Sequence, residues 1–121
     1  MLVILGMLSI ARSSVFTDEA TLWSDVVAKS PNKARPHNNL GRALQDSGPP
    51  DDVLAHFKKA LYLEPDYLDA QFNLTIQYYD MGLMAEAERE CNLIIQRYPF
   101  SSQAAFFRKM LPMIRAQRKG K

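Results

Sequence analysis

The chain has 121 residues, 47% of them hydrophobic and 23% charged, with a formal net charge of +2. That length suits one small domain, that composition excludes a disordered polymer, and so small a charge argues against a nucleic-acid surface. One cysteine excludes an internal disulfide and leaves the redox compartment open.

The chain opens on Met1 to Ala11, apolar except for Gly6 and Ser9 and closed by Arg12. As a helix this stretch would reach roughly 16 Å at about 1.5 Å per residue, half of a ~30 Å hydrocarbon core, so alone it cannot span a bilayer. A signal peptide is one reading, but the stretch has no basic residue ahead of the apolar run and no convincing small-x-small cleavage site, which argues against it. Three placements stay open: the end of a membrane helix that begins outside this sequence, an uncleaved signal or anchor, and a capping helix. Its apolar character on all sides favours membrane origin, since a helix packed on one neighbour needs only one apolar stripe.

Thr17 is suited to cap a helix whose first turn holds Asp18 and Glu19, and that helix should stop near Lys29, ahead of Pro31. A second is expected from about Ala34 to Asp46, ended by Ser47-Gly48-Pro49-Pro50. A third starts at Asp51 and Asp52, carries Val53, Phe57, Ala60 and Leu61 on one face and ends near Leu63. The scheme then repeats, with a helix from about Tyr67 to Met81, a turn at Gly82 and a helix from about Ala85 to Arg97. Ser101 or Ser102 should cap a last helix from near Gln103, apolar through Ala104, Phe106, Phe107 and Leu111. Pro112 is placed to kink it, and Arg115, Arg118, Lys119 and Lys121 read as a solvated basic end. No stretch alternates with period two for long enough to make a strand.

Pro31, Pro65 and Pro99 stand 34 residues apart, and other positions share the period. Asn39-Leu40 returns as Asn73-Leu74, and Asp46 and Gly48 return as Asp80 and Gly82. Trp23, Phe57 and Cys91 share one register; Val26, Ala60 and Ile94 share another. A period of this length belongs to a unit of two antiparallel helices, so the predicted fold is all-α, an α-solenoid of stacked helix pairs.

The stretch Asn39-Leu40-Gly41, followed by Gly48, Phe57, Ala60 and Pro65, resembles a tetratricopeptide repeat. Residues 34–67 match well; residues 68–101 keep the glycine, Ala87 and the proline but carry Thr75 in place of Gly41 and Cys91 in place of an aromatic. The expected organisation is an apolar segment over 1–16, then an array over 17–111. That array has a half-repeat at 17–33, repeats at 34–67 and 68–101, and a capping helix from about 102, with a basic tail over 112–121. In this arrangement Gly41 and Ala43 allow close helix approach, Leu40, Leu44 and Phe57 fill each pair, and Trp23 and Phe106 or Phe107 cover the open sides.

Catalysis finds no constellation to support it. His37 and His56 lie 19 residues apart on different helices without a ligand partner at metal spacing. Cys91 shares a packing register, which points to a buried inert thiol. Glu86, Glu88 and Glu90, with Arg89 among them, read as an exposed helix face. Gly41 and Gly48 stand alone and form no phosphate loop. The expected protein is therefore non-enzymatic, with no catalytic residue, metal or small-molecule cofactor and no nucleic-acid partner.

Binding remains, and a solenoid of helix pairs exposes a curved face lined by the first helix of each pair. The stations predicted to face it are Arg35, Asn38, Asn39 and Arg42, with Gln45 beside them, then Asp69, Phe72, Asn73, Ile76 and Tyr79. Asn39 and Asn73 occupy one station, and a side-chain amide can pair with both the N–H and the C=O of a peptide backbone. This pair resembles the asparagine ladder of O-linked N-acetylglucosamine transferases; asparagines that only bond within the array are an equal alternative. The carboxylate clamp of chaperone-binding tetratricopeptide domains is not matched, because Asn38, Gln103 and Phe107 stand where it needs cations. Arg35 and Arg42 would still attract an acidic segment, with Phe72, Ile76 and Tyr79 as an apolar strip.

The residues around Leu22-Trp23-Ser24-Asp25, Ser30-Pro31-Asn32 and Asn38-Asn39-Leu40-Gly41 also look like the junction of membrane domain and repeats in proteins similar to protein O-mannosyltransferases. The leading expectation is an interaction module that takes an extended peptide or partner helix, tethered at a membrane through Met1–Ala11. Its rivals are a repeat region detached from a membrane glycosyltransferase-like protein and a self-associating scaffold. The resemblance puts the repeats in a periplasm or lumen; without it they are expected in the cytoplasm.

Overall fold

The computed structural model describes residues 19–119. Helix α1 occupies 19–29. It is followed by α2 (Ala34–Leu44), α3 (Pro50–Leu63), α4 (Leu68–Asp80), α5 (Met84–Arg97) and α6 (Ser102–Lys119). The starts of α2, α4 and α6 are spaced by 34 residues, as are those of α3 and α5, so the period of the sequence is the period of the structure. Among the described residues there is no strand. The apolar segment Met1–Ala11, the Thr17 cap and Asp18 lie outside the described residues.

Each helix ends for a local reason. In α1 the Ser30 N–H reaches back to the Val26 carbonyl at 2.8 Å, and Pro31 allows nothing further. Helix α2 stops at Leu44, short of the expected Asp46, because the N–H groups of Ser47 and Gly48 both turn onto the Leu44 carbonyl. Pro50 occupies the first turn of α3, where its missing N–H costs no helix bond, and Asp51 and Asp52 lie near the positive end. After α4, Gly82 adopts φ 79°, and the N–H groups of Gly82 and Leu83 bond the carbonyls of Tyr79 and Tyr78, a left-handed helix stop that suits glycine. Ser101 caps α6, its Oγ accepting from the Ala104 N–H at 3.0 Å.

From α2 to α6 sequential helices pack against each other, and α2 also touches α4. Helices α2, α4 and α6 thus form one layer, joined across α4 and α6 by Phe72 against Phe107, and α3 and α5 form the other. The core between them runs without a break from Val53 and Phe57 through Leu74 and Tyr78, then Ala87, Cys91 and Ile94, to Phe107, Leu111 and Ile114. Gly41 makes the closest approach: a Cβ built there would stand 2.6 Å from the Phe57 ring. In the next unit Thr75 and Cys91 hold the same two stations, both fully buried, so a larger residue on one helix is matched by a smaller one on the other. Thr75 tolerates its place by donating to the Gln71 carbonyl at 2.7 Å.

The expected basic tail behaves differently from a solvated end. Helix α6 continues through Pro112 to Lys119 with Ile114 completely buried. Arg115 donates to Glu88 at 2.9 Å and Arg118 pairs with the same carboxylate. Apolar burial of Ile114 holds this part of the helix more firmly than these ion pairs do.

Candidate functional site

One face of the array is open, and its walls come from the first helix of each pair. A cavity of about 410 Å³ is lined by Arg42 from α2, Asp69, Phe72 and Asn73 from α4, and Ser102, Gln103 and Phe106 from α6. Four of the predicted groove residues meet there. A second cavity of about 430 Å³ lies between α1 and α2, lined by Glu19, Trp23, Asn39, Arg42, Gln45 and Asp46 among others. Arg42 borders both. Neither it nor Arg35, which is exposed at the station of Asp69 and Gln103, forms an ion pair among the described residues.

The remaining predicted residues divide. Asn39 is half-buried and faces the second cavity. Asn38 does not lie on the open face: it is 2% exposed, accepting from Asn73 Nδ2 at 2.9 Å and donating to the Tyr67 hydroxyl at 3.4 Å. The bond from Asn73 orients that amide, leaving its Oδ1 and second N–H for a ligand. Ile76 and Tyr79 are half-buried against the core, and Gln117 donates to the Tyr79 hydroxyl at 3.1 Å. Asp69 is exposed and accepts from Gln103 Nε2 at 3.5 Å.

Phe106 escapes a reading by period alone, since either it or Phe107 could close the array. Phe107 is fully buried and does so, while Phe106 stays 43% exposed with its ring 5.5 Å from Phe72. Its signal in the sequence is its station, one period from Phe72 and two from Asn38.

Outside the groove, three features are tighter than the sequence suggests. The rings of His37 and His56 stack with centroids 6.0 Å apart. Burial and the neighbouring His37 hold the His56 pKa below the usual imidazole value against the opposing pull of Asp52. Glu86, Glu88 and Glu90 do not form a solvated face: Glu90 is buried and accepts from Gln71 at 3.3 Å, and Glu88 is half-buried. The bonds from Arg115 and Arg118 hold the Glu88 carboxyl below its ordinary range. Among the described residues no three His, Cys, Asp or Glu side chains come together as a metal site. No helix among them is long and apolar enough to cross a membrane.

Cys91 is fully buried, and burial, reinforced by Glu88 and Glu90, pushes its thiol up to about 12. Thiol reagents at pH 8 are therefore expected to leave the folded protein unmodified for hours and to react at once after denaturation. Rapid native labelling, read by mass spectrometry, would show that the core around Cys91 opens.

No family model matches the chain. It is 40% identical over 62 residues to the protein named "Probable UDP-N-acetylglucosamine--peptide N-acetylglucosaminyltransferase SPINDLY" from Eustoma exaltatum subsp. russellianum, covering 46% of this chain and 7% of that one. It is 29% identical over 77 residues to protein O-mannosyl-transferase TMTC3 of Mus musculus, covering 64% of this chain and 8% of that one. The match thus takes in less than a tenth of either relative. Among solved structures, the TPR2B domain of yeast Sti1, described as a complex with pHsp70, superposes with a TM-score of 0.76 over 90% of both chains at 15% identity. Period, helix pairing and this superposition together show that the chain has the tetratricopeptide-repeat fold.

Proposed function

We propose that the array is a non-enzymatic protein-interaction module that holds an extended peptide on the face shared by α2, α4 and α6. The observation that carries this reading is the cavity where Arg42, Asp69, Phe72, Asn73 and Phe106 converge from three successive repeat units. It combines an exposed cation, an oriented amide and two aromatic rings, a set that can grip backbone and side chains together. The fold it shares with a domain solved as TPR2B:pHsp70 supports a peptide as the kind of ligand. Asn39 and Asn73 supply backbone contacts, Arg35 and Arg42 the charge, and Met1–Ala11 a membrane tether.

The test is peptide-array binding by the wild-type chain and by Asn39→Ala combined with Asn73→Ala. Two lost amide contacts at about 1 kcal/mol each should weaken array-selected peptides roughly 10- to 30-fold. Unchanged affinity in a variant that melts normally would remove the asparagines from the site.

A second reading is favoured by the names of both relatives, each a transferase far longer than the matched segment. On that reading this is the repeat region of a longer membrane glycosyltransferase-like protein. Sequencing the transcript upstream of the Met1 codon decides it: hydrophobic spans in frame support the reading, and an in-frame stop rejects it.

A further inference from the structure

The groove does not end at the residues already assigned to it. On α6, Phe106, Met110 and Met113 recur at spacings of four and three, so they form one stripe on the helix surface. Phe106 is 43% and Met113 54% exposed, although the neighbouring face of the same helix buries Phe107 and Ile114 completely. The stripe holds the stations of Phe72, Ile76 and Tyr79 moved by one period, and Phe72 touches Phe106 directly. An apolar surface therefore runs from α4 onto α6.

Its charged surroundings are one-sided. Helix α6 carries Arg108, Lys109, Arg115, Arg118 and Lys119 and no carboxylate. Glu88 matches Arg115 and Arg118, whereas Lys109, three residues from Phe106 and four from Met113, is exposed without an ion pair among the described residues. Across the groove Arg42 likewise is exposed and has no ion pair among the described residues. Asp69, at one end of the cavity, is engaged by Gln103, and Glu19 and Asp46 lie on the α1 side of Arg42. The apolar stripe is thus bordered by an exposed cation on each flank.

Building on the proposed groove, we infer that its ligand is an acidic peptide segment with two bulky apolar side chains, seated on Phe72, Phe106, Met110 and Met113 between Arg42 and Lys109. Carboxylates on either side of the apolar pair would meet the two cations, while the Asn73 amide takes the backbone. Methionine suits such a surface because its unbranched side chain adapts to different apolar partners. An anionic membrane offers the same two chemistries, but a bilayer surface cannot follow the wall down to Phe72 and Asn73 inside the cavity.

The experiment measures fluorescence anisotropy of the full chain with three labelled octapeptides. One has leucine and phenylalanine flanked by glutamates, the second has lysines for the glutamates, and the third has serines for the apolar pair. The first should bind at least tenfold more tightly than either other and weaken as salt is raised. Arg42→Glu with Lys109→Glu, both at exposed positions, should reverse the preference to the lysine peptide. Phe106→Ser should erase the difference between apolar and serine peptides. Equal binding of all three overturns the inference and leaves the groove standing; no binding here or on the array overturns both. Sedimentation with phosphatidylserine vesicles in the absence of any peptide binding also overturns it, in favour of a lipid surface.

Discussion

Replacing Phe57 with alanine is expected to cost about 3–5 kcal/mol, enough to unfold most of the protein at 37 °C. Phe57 is completely buried, and its ring lies against Gly41 on the facing helix, so the space it leaves is walled by backbone and cannot collapse readily. The described residues hold few repeat units to compensate, since stability in a solenoid is close to a sum over units and their interfaces. The reverse error should also be severe: Gly41→Thr drives a branched side chain into that ring. The second unit, with Thr75 and Cys91 at these stations, supplies the remedy. Gly41→Thr combined with Phe57→Cys should be more stable than the sum of the single losses allows, by about 1–3 kcal/mol in a denaturation cycle. Additive losses would mean that the two stations do not share a volume.

Ending the chain after Leu111 is expected to lower stability by about 2–4 kcal/mol, and the melting temperature by roughly 10–20 °C. The truncation removes the fully buried Ile114 from the core and uncovers the part of α5 near Glu88, where Arg115 and Arg118 reach it. It also removes Arg115 and Arg118 from Glu88 and Gln117 from Tyr79, but these contacts are exposed and contribute little. Ile114→Ala alone should reproduce most of the loss, and Arg115→Ala with Arg118→Ala very little of it. A truncated chain that melts like the full one would return residues 112–119 to the status of a tail.

The architecture was legible because it is written in a repeated pattern. Glycine and proline mark the helix ends, and the register of Leu40, Gly41 and Phe57 assigns the tight contact within a pair. Register assigns a station, however, and not what stands opposite it. Asn38 has a groove station, yet it is buried because Asn73 and Tyr67, 35 and 29 residues away, reach it. His37 and His56 stack because their two helices form one pair. Glu88 and Glu90 leave the solvent because α4 and α6 carry Gln71 and two arginines toward them. Pro112 reads as a kink ahead of a tail, but Ile114, two residues beyond it, has a core to enter. The apolar stripe on α6 was hidden by the same limit: Phe106 shares the expected covering role with Phe107, and Met113 falls in the expected tail, until Phe107 and Ile114 are seen to do the covering.

The central claim, that peptides bind on the face shared by α2, α4 and α6, is tested most directly by titrating isotope-labelled protein with the glutamate-flanked apolar octapeptide and following its NMR spectrum. The expected result is a set of shifts confined to Arg42, Asp69, Phe72, Asn73, Gln103, Phe106 and the Met110 and Met113 methyl groups. Shifts centred instead on the other layer, around Tyr62 of α3 and Leu93 of α5, would contradict it.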